Sequence, residues 1–241
     1  MAGVGERIIV SGSGQLRVFR GAKLAAGEVV PLERSGALCA GRGVVFAASD
    51  EDNAIYRLDA HTLLPTGVYA GGPGMRALCL SADGERLFAL LSDADSVLML
   101  SGRDGAPMLL ARVGVSPQSM RMDDTGERLV IAGGRDGCAH LLCARTLRLL
   151  AQFPAEGFCA DAACRGRRVH ALRLRGEWSL AAPGKLIPAH GKTLLLDSLT
   201  ERLFASYAEA GAWRLVCTGA RDAAAIPDGP DREESDRAYS P

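Results

Sequence analysis

The sequence predicts an all-β chain folded as a β-propeller of about six four-stranded blades, and three observations carry that prediction. A five-residue pattern recurs at nearly constant spacing from one end of the chain to the other. Each recurrence sits in the same order of short apolar runs and turn residues, and no segment sustains an apolar period of 3.6.

The recurring pattern is Gly-Glu-Arg followed by two apolar residues. Gly84-Glu85-Arg86-Leu87-Phe88 returns 42 residues later as Gly126-Glu127-Arg128-Leu129-Val130, and 40 further on as Gly166-Arg167-Arg168-Val169-His170. It returns after another 34 as Thr200-Glu201-Arg202-Leu203-Phe204. Gly5-Glu6-Arg7-Ile8-Ile9 opens the chain, and a degenerate copy, Arg42-Gly43-Val44-Val45-Phe46, lies 37 residues after it. Six copies predict six blades; a ring of five or seven is the alternative count.

Each unit reads as four strands. An apolar run precedes the pattern (77–80, 119–122, 159–162, 193–196), and a hairpin glycine supplies positive φ at the turn. A second strand follows (86–91, 128–132, 202–206), then a tip of small and acidic residues such as Ser92-Asp93-Ala94-Asp95-Ser96. A third strand (54–58, 97–100, 139–143), another turn and a fourth strand (65–69, 108–113, 147–153) complete the unit. Four strands in roughly 40 residues is the period of a propeller blade. The first unit is expected to lack an innermost strand. The segment 223–226 is expected to close the ring on the first unit or to finish the sixth. The propeller therefore occupies 1–226 as one domain. The remaining 227–241 carries five acids, two arginines and three prolines and reads as a disordered polar tail.

Val113-Gly114-Val115-Ser116-Pro117, with Met122-Asp123-Asp124-Thr125-Gly126-Glu127-Arg128-Leu129-Val130 after it, resembles the repeat of the YVTN family of β-propellers. Asp52-Asn53-Ala54-Ile55-Tyr56-Arg57-Leu58-Asp59 resembles that repeat's third strand and following turn. The likeness runs over roughly residues 40 to 155. It implies blade architecture and leaves activity open, because such repeats specify packing.

Composition narrows the function classes. With 28 basic and 28 acidic side chains the net charge is zero, so the basic field that nucleic acid or an anionic membrane requires is lacking. Apolar runs are strand-sized, and no basic-then-apolar leader opens the chain. Seven cysteines without a leader fit free thiols in a reducing compartment, and a cytoplasmic protein is expected.

The arginine column (Arg7, Arg86, Arg128, Arg168, Arg202) reads as strand starts spread around a ring, unable to converge on one anion. Cys138, Cys143, Cys159 and Cys164 are spaced five apart on strands, which places each pair on opposite faces, so no metal is expected there. His61, His140, His170 and His190 fall at different blade depths. No phosphate loop or nucleophile elbow appears, and no cofactor is expected. The acidic tips are different: Asp50, Asp52, Asp93, Asp95 and Asp136 rim one face. Arg76, Gln118, Phe158 and Lys192 share a column at the start of the innermost strands on that face. The expected site is this mouth of the central channel, with the aspartates steering a cationic or polar group toward Arg76 and Gln118. The expected function is a non-catalytic scaffold that binds a protein partner or a small ligand there. The alternative is a lactonase-like hydrolase; an oxidoreductase-associated subunit is a third reading.

Overall fold

Each repeat folds as an antiparallel meander because its apolar runs are strand-length and its breaks hold residues that accept left-handed backbone. The computed structural model describes residues 2–4, 7–12, 15–20, 25–31, 35–154, 157–165, 168–174, 179–182, 185–188, 190–196, 202–209, 212–219 and 224–225. The first sheet is β1 (Ala2–Val4), β2 (Arg7–Gly12), β3 (Gln15–Arg20) and β4 (Ala25–Pro31). The second is β5 (Ser35–Gly41), β6 (Val44–Ser49), β7 (Ala54–Asp59) and β8 (Pro65–Ala70). The third is β9 (Met75–Leu80), β10 (Arg86–Leu91), β11 (Ser96–Ser101) and β12 (Pro107–Arg112). The fourth is β13 (Ser119–Met122), β14 (Arg128–Ala132), β15 (Cys138–Cys143) and β16 (Leu149–Pro154). All four are antiparallel, with strands adjacent in sequence adjacent in the sheet.

Two expectations need correction. The first unit does have an innermost strand: β1 pairs Ala2 with Ile9 and Val4 with Arg7, three residues being enough to cover half of β2. Within the C-terminal segment, the described residues Ala224 and Ala225 pair with the fifth unit rather than with the first or the sixth. In the fifth unit β17 (Phe158–Arg165) pairs with β18 (Arg168–Leu174), and β19 (Ser179–Ala182) forms its own hairpin with β20 (Lys185–Pro188). The outer edge of β18 keeps free N–H and C=O groups at its start, and β24 (Ala224–Ala225) takes them, pairing Ala225 with Arg168. The sixth unit is the three-stranded sheet β21 (His190–Leu196), β22 (Arg202–Glu209) and β23 (Ala212–Gly219). The tail at 227–241 lies outside the described residues.

The sheets stand face to face around an axis. Innermost strands succeed one another, β1 against β5, then β9, β13, β17 and β21. Second strands are sandwiched between neighbouring sheets, so β6, β10 and β14 are buried along nearly their whole length and read as continuous apolar runs. Outer strands β8 and β12 are mostly exposed. The core is accordingly divided into inter-blade layers. Val45 and Ala47 pack back on Ile9 and Leu16, whereas Phe46 and Ala48 pack forward on Leu78, Leu87 and Ala89. Phe88 and Leu90 then meet Met120, Leu129 and Ile131, and Val130 meets Cys159 and Ala162.

Hydrogen bonds sort the loops onto two ends. Gly84 and Gly126 turn at φ 79° and 74°. These first turns join the third turns of the same blade: Ala60 N–H donates to Gly43 O, Gly102 N–H to Glu85 O and Ala144 N–H to Glu127 O. At the other end the acidic tips join the inter-blade connections, Gly71 N–H donating to Asn53 O and Val113 N–H to Asp95 O. Among the described residues there is no helix.

Candidate binding site at the axis

The mouth is shaped by bulges. In β9, Ala77 pairs with Leu90 and Met75 with Leu91, so Arg76 is the extra residue. In β21, Thr193 pairs with Ser206 and Gly191 with Tyr207, leaving Lys192 as the extra residue. A bulge unpairs one residue and bends the strand, re-aiming what it carries. Gln118 holds the same level in the fourth unit, its N–H donating to Ala132 O. The register corrects one member of this column. Ala160, not Phe158, is the extra residue of β17, and Phe158 lies two residues further out, opposite Leu174. A bulge hidden in the sequence displaced the alignment by two.

Arg76 is exposed and makes no hydrogen bond or ion pair among the described residues. Gln118 is half-buried and folded back, donating from Nε2 to Ser116 O and Ser116 Oγ. Phe158 is half-buried. Lys192 is placed by its backbone register alone.

Of the five aspartates, Asp50, Asp52, Asp95 and Asp136 are each engaged at or beside their own loop. Met75 N–H donates to Asp50 Oδ1 (3.1 Å), a bond from one blade to the next. Ser116 N–H donates to Asp95 Oδ1 (2.7 Å), and Arg112 stands 3.8 Å from the same carboxylate. Asp52 accepts from Ser49 Oγ and from Tyr56 OH (2.7 Å), which raises the Tyr56 phenol above its ordinary range. Asp136 accepts from Cys138 N–H and pairs with the buried His140 Nε2. The exposed Asp93 carboxylate lies against Gly74, in the space a Cβ would fill. These groups close loops and join blades; the structure does not gather them at one point.

Two residues that sequence reading passed over do meet. Arg121, on β13, donates from Nη2 to Asp161 Oδ2 (2.8 Å) and from Nε to Oδ1 (3.4 Å), bridging the fourth and fifth innermost strands. The Asp161 side chain is 2% exposed and that of Arg121 35%. Ala162 N–H also donates to Asp161 Oδ1 (2.9 Å). A signal existed. By register Arg121 stands where Cys39, Cys79 and Ala163 stand in other units, and Asp161 where Ala77 and Ser119 stand. A charge in a column of small residues is the departure to look for.

The remaining candidates resolve into local bonding. Arg7 donates from Nη1 to Ala60 O (2.7 Å) and His61 O (2.8 Å), fastening the first blade to the second. Arg86 stands 3.3 Å from Asp83, and Arg128 stands 4.0 Å from Asp123; the side chains of Arg168 and Arg202 lie outside the described residues. Cys138 and Cys143 sit at opposite ends of β15, while Cys159 and Cys164 belong to β17. Burial pushes Cys159 up to about 12, and Cys79 and Cys164 up to about 11.

No family model matches the chain, and no curated protein matches it. Solved structures do. The chain is similar to one in the crystal structure of the mitotic checkpoint complex, with a TM-score of 0.61 and 15% identity, covering 90% of this chain and 63% of that one. It is similar to BamB from Moraxella catarrhalis at a TM-score of 0.58 and 17% identity, covering 90% and 80% of the two chains. A third likeness is to Kuenenia stuttgartiensis hydrazine synthase, at a TM-score of 0.58 and 10% identity, covering 89% and 63%. The chain is a β-propeller. At such identities the likeness extends to the fold alone, and the chain spans less than two thirds of the first of these structures.

Proposed function

We propose that this propeller is a non-catalytic scaffold of the YVTN-repeat kind, cytoplasmic, which binds a protein partner or a small ligand at the loop-face mouth of its axis. The observation that carries the reading is the contrast at that mouth. Four of the five rim acids, Asp50, Asp52, Asp95 and Asp136, are committed to loop and inter-blade bonds, whereas Arg76 is exposed on a bulge and without a partner among the described residues. Blades joined by continuous apolar layers supply rigidity, and recognition then falls to the loops and bulges. A hydrolase would need carboxylates converging on one water or metal, and Asp50, Asp52, Asp95 and Asp136 each face a separate N–H or side chain.

The test is crosslinked capture from the cells that make the protein, repeated with Arg76→Glu on the loop face and Glu85→Arg on the opposite face. The reading expects the captured partner or ligand to be lost with Arg76→Glu and kept with Glu85→Arg. The reverse pattern refutes the choice of face, and turnover of a captured small molecule refutes the non-catalytic role.

A further inference from the structure

We propose that the inner wall of the propeller binds a small oxyanion, a ligand bearing carboxylate or phosphate groups, with Arg121 as its anchor and Arg76 as a second contact. This rests on the mouth being the binding site and names the ligand class.

The charge on the wall is lopsided. Among the described side chains of the innermost strands, Arg76 and Arg121 stand against one acid, Asp161, in a chain whose total charge is zero. That acid is buried and held by Arg121, so it presents no anion to the axis. Asp161 occupies Nε and one hydrogen of Nη2; Nη1 makes no hydrogen bond among the described residues, and the side chain as a whole is partly exposed. A guanidinium fixed along one edge offers the remaining N–H groups as a pre-set fork, the geometry that suits carboxylate and phosphate. The buried carboxylate orients the cation, as a partner behind a metal ligand does.

Holding two blades together does not require this pair. The same column is filled by Cys39, Cys79 and Ala163 elsewhere, and a buried ion pair is no better than apolar packing at stabilising a fold. The charge acts along the wall: Arg121 pulls the Cys79 thiol down on the neighbouring strand, against burial that pushes it up. Arg76 lies level with Gln118, three residues along the axis from Arg121, an axial offset of about 10 Å to which the step between neighbouring blades adds. A ligand with two anionic groups at about that separation would engage both cations.

Calorimetric titration and thermal shift with inorganic phosphate, tripolyphosphate and the dicarboxylate suberate test the proposal, with sodium chloride at matched ionic strength as control. Saturable binding of a two-ended probe is expected, and the phosphate and carboxylate arms tell which oxyanion is preferred. Arg76→Gln should weaken the two-ended probe about tenfold and leave inorganic phosphate unchanged, the loss of one charge-assisted contact. Arg121→Gln should abolish binding of every probe. The proposal is overturned if no probe binds beyond the chloride control, or if folded Arg121→Gln binds as the parent does. Should Arg121→Gln fail to fold, Arg76→Gln decides: unchanged affinity for suberate, whose carboxylates can span that distance, overturns it. A protein that keeps its captured partner yet binds no probe refutes this inference alone.

Discussion

Replacing Gly105 by alanine tests how tightly the blades interlock. Leu63, Gly105 and Leu147 occupy the same place in successive third turns, with φ of 55°, 76° and 55°. The two leucines accept left-handed backbone because their side chains fill the inter-blade core, 0% and 4% exposed. At Gly105 that space belongs to Tyr69 from the preceding blade. A Cβ there would overlap Cγ and Cδ1 of the ring and stand 2.8 Å from the Tyr69 Cβ. Tyr69 cannot yield cheaply. Its hydroxyl donates to Gly102 O (3.1 Å) and Arg103 O (2.8 Å), and its ring meets Phe46 at 5.7 Å. Left-handed backbone costs alanine about 1 kcal/mol, and overpacking adds about 2 kcal/mol. The sum, about 3 kcal/mol, lowers Tm by roughly 6–12 °C in a chain of this size. Urea and thermal unfolding of Gly105→Ala, Tyr69→Ala and the double variant measure it. In the Tyr69→Ala background the ring overlap is gone and only the backbone cost and the crowding against the remaining Cβ at 69 persist, so the glycine change should cost clearly less than in the parent. Equal losses in both backgrounds would refute the steric argument.

Other outcomes follow from the same contacts. Arg121→Met, which strands a buried carboxylate, should destabilise by about 2 kcal/mol, discounted for the partial exposure of the arginine; Asp161→Asn should cost less, since the freed guanidinium can reach water, and the order in urea midpoints checks this. At pH 8, iodoacetamide should label Cys143 first. Burial pushes its thiol up, but the Thr146 hydroxyl, the Arg145 and Thr146 N–H groups and the Arg148 charge outweigh that and leave it lowered, whereas Cys159, at about 12, should react only on unfolding. Asp59 accepts from Thr62 N–H and His61 N–H, which lowers its carboxyl below 3.8. Its stabilisation is therefore present above the unfolded value and lost as pH falls through the folded one, so the difference between parent and Asp59→Ala should shrink on acid titration.

Much of the fold was legible because propeller packing imposes columns. The turn glycines at 84 and 126 could be aligned by eye, and the doubly buried second strands appear as uninterrupted apolar runs. Bulges were not legible. They change the count without changing composition, and so Phe158 was aligned where Ala160 belongs. The destination of Ala224–Ala225 depended on which strand edge the β19–β20 hairpin left open, a tertiary matter. For the site, aspartate in a tip reads equally well as a ligand-facing acid or as a turn acceptor, and only the N–H groups of Met75 and Ser116 decide between the two. Arg121 and Asp161 were visible as departures from their columns, but an alignment that seeks likeness passes over them.

The division of charge suggests how the two layers of the mouth work together. Steering by the aspartates was expected to favour a cation, yet Asp50 and Asp95 spend their oxygens on neighbouring backbone. Hydrogen bonding leaves their net charge in place, so the rim remains acidic, whereas on the wall behind it Arg76 adds a positive charge to the neutral Arg121–Asp161 pair. Screening limits the rim's reach to about 8 Å at physiological ionic strength. An extended polyanion crossing the face would lie within that distance of several carboxylates at once and be repelled. On the proposed reading a small oxyanion enters along the axis and meets Arg76 and then Arg121. The rim then selects by size, and the wall selects by charge.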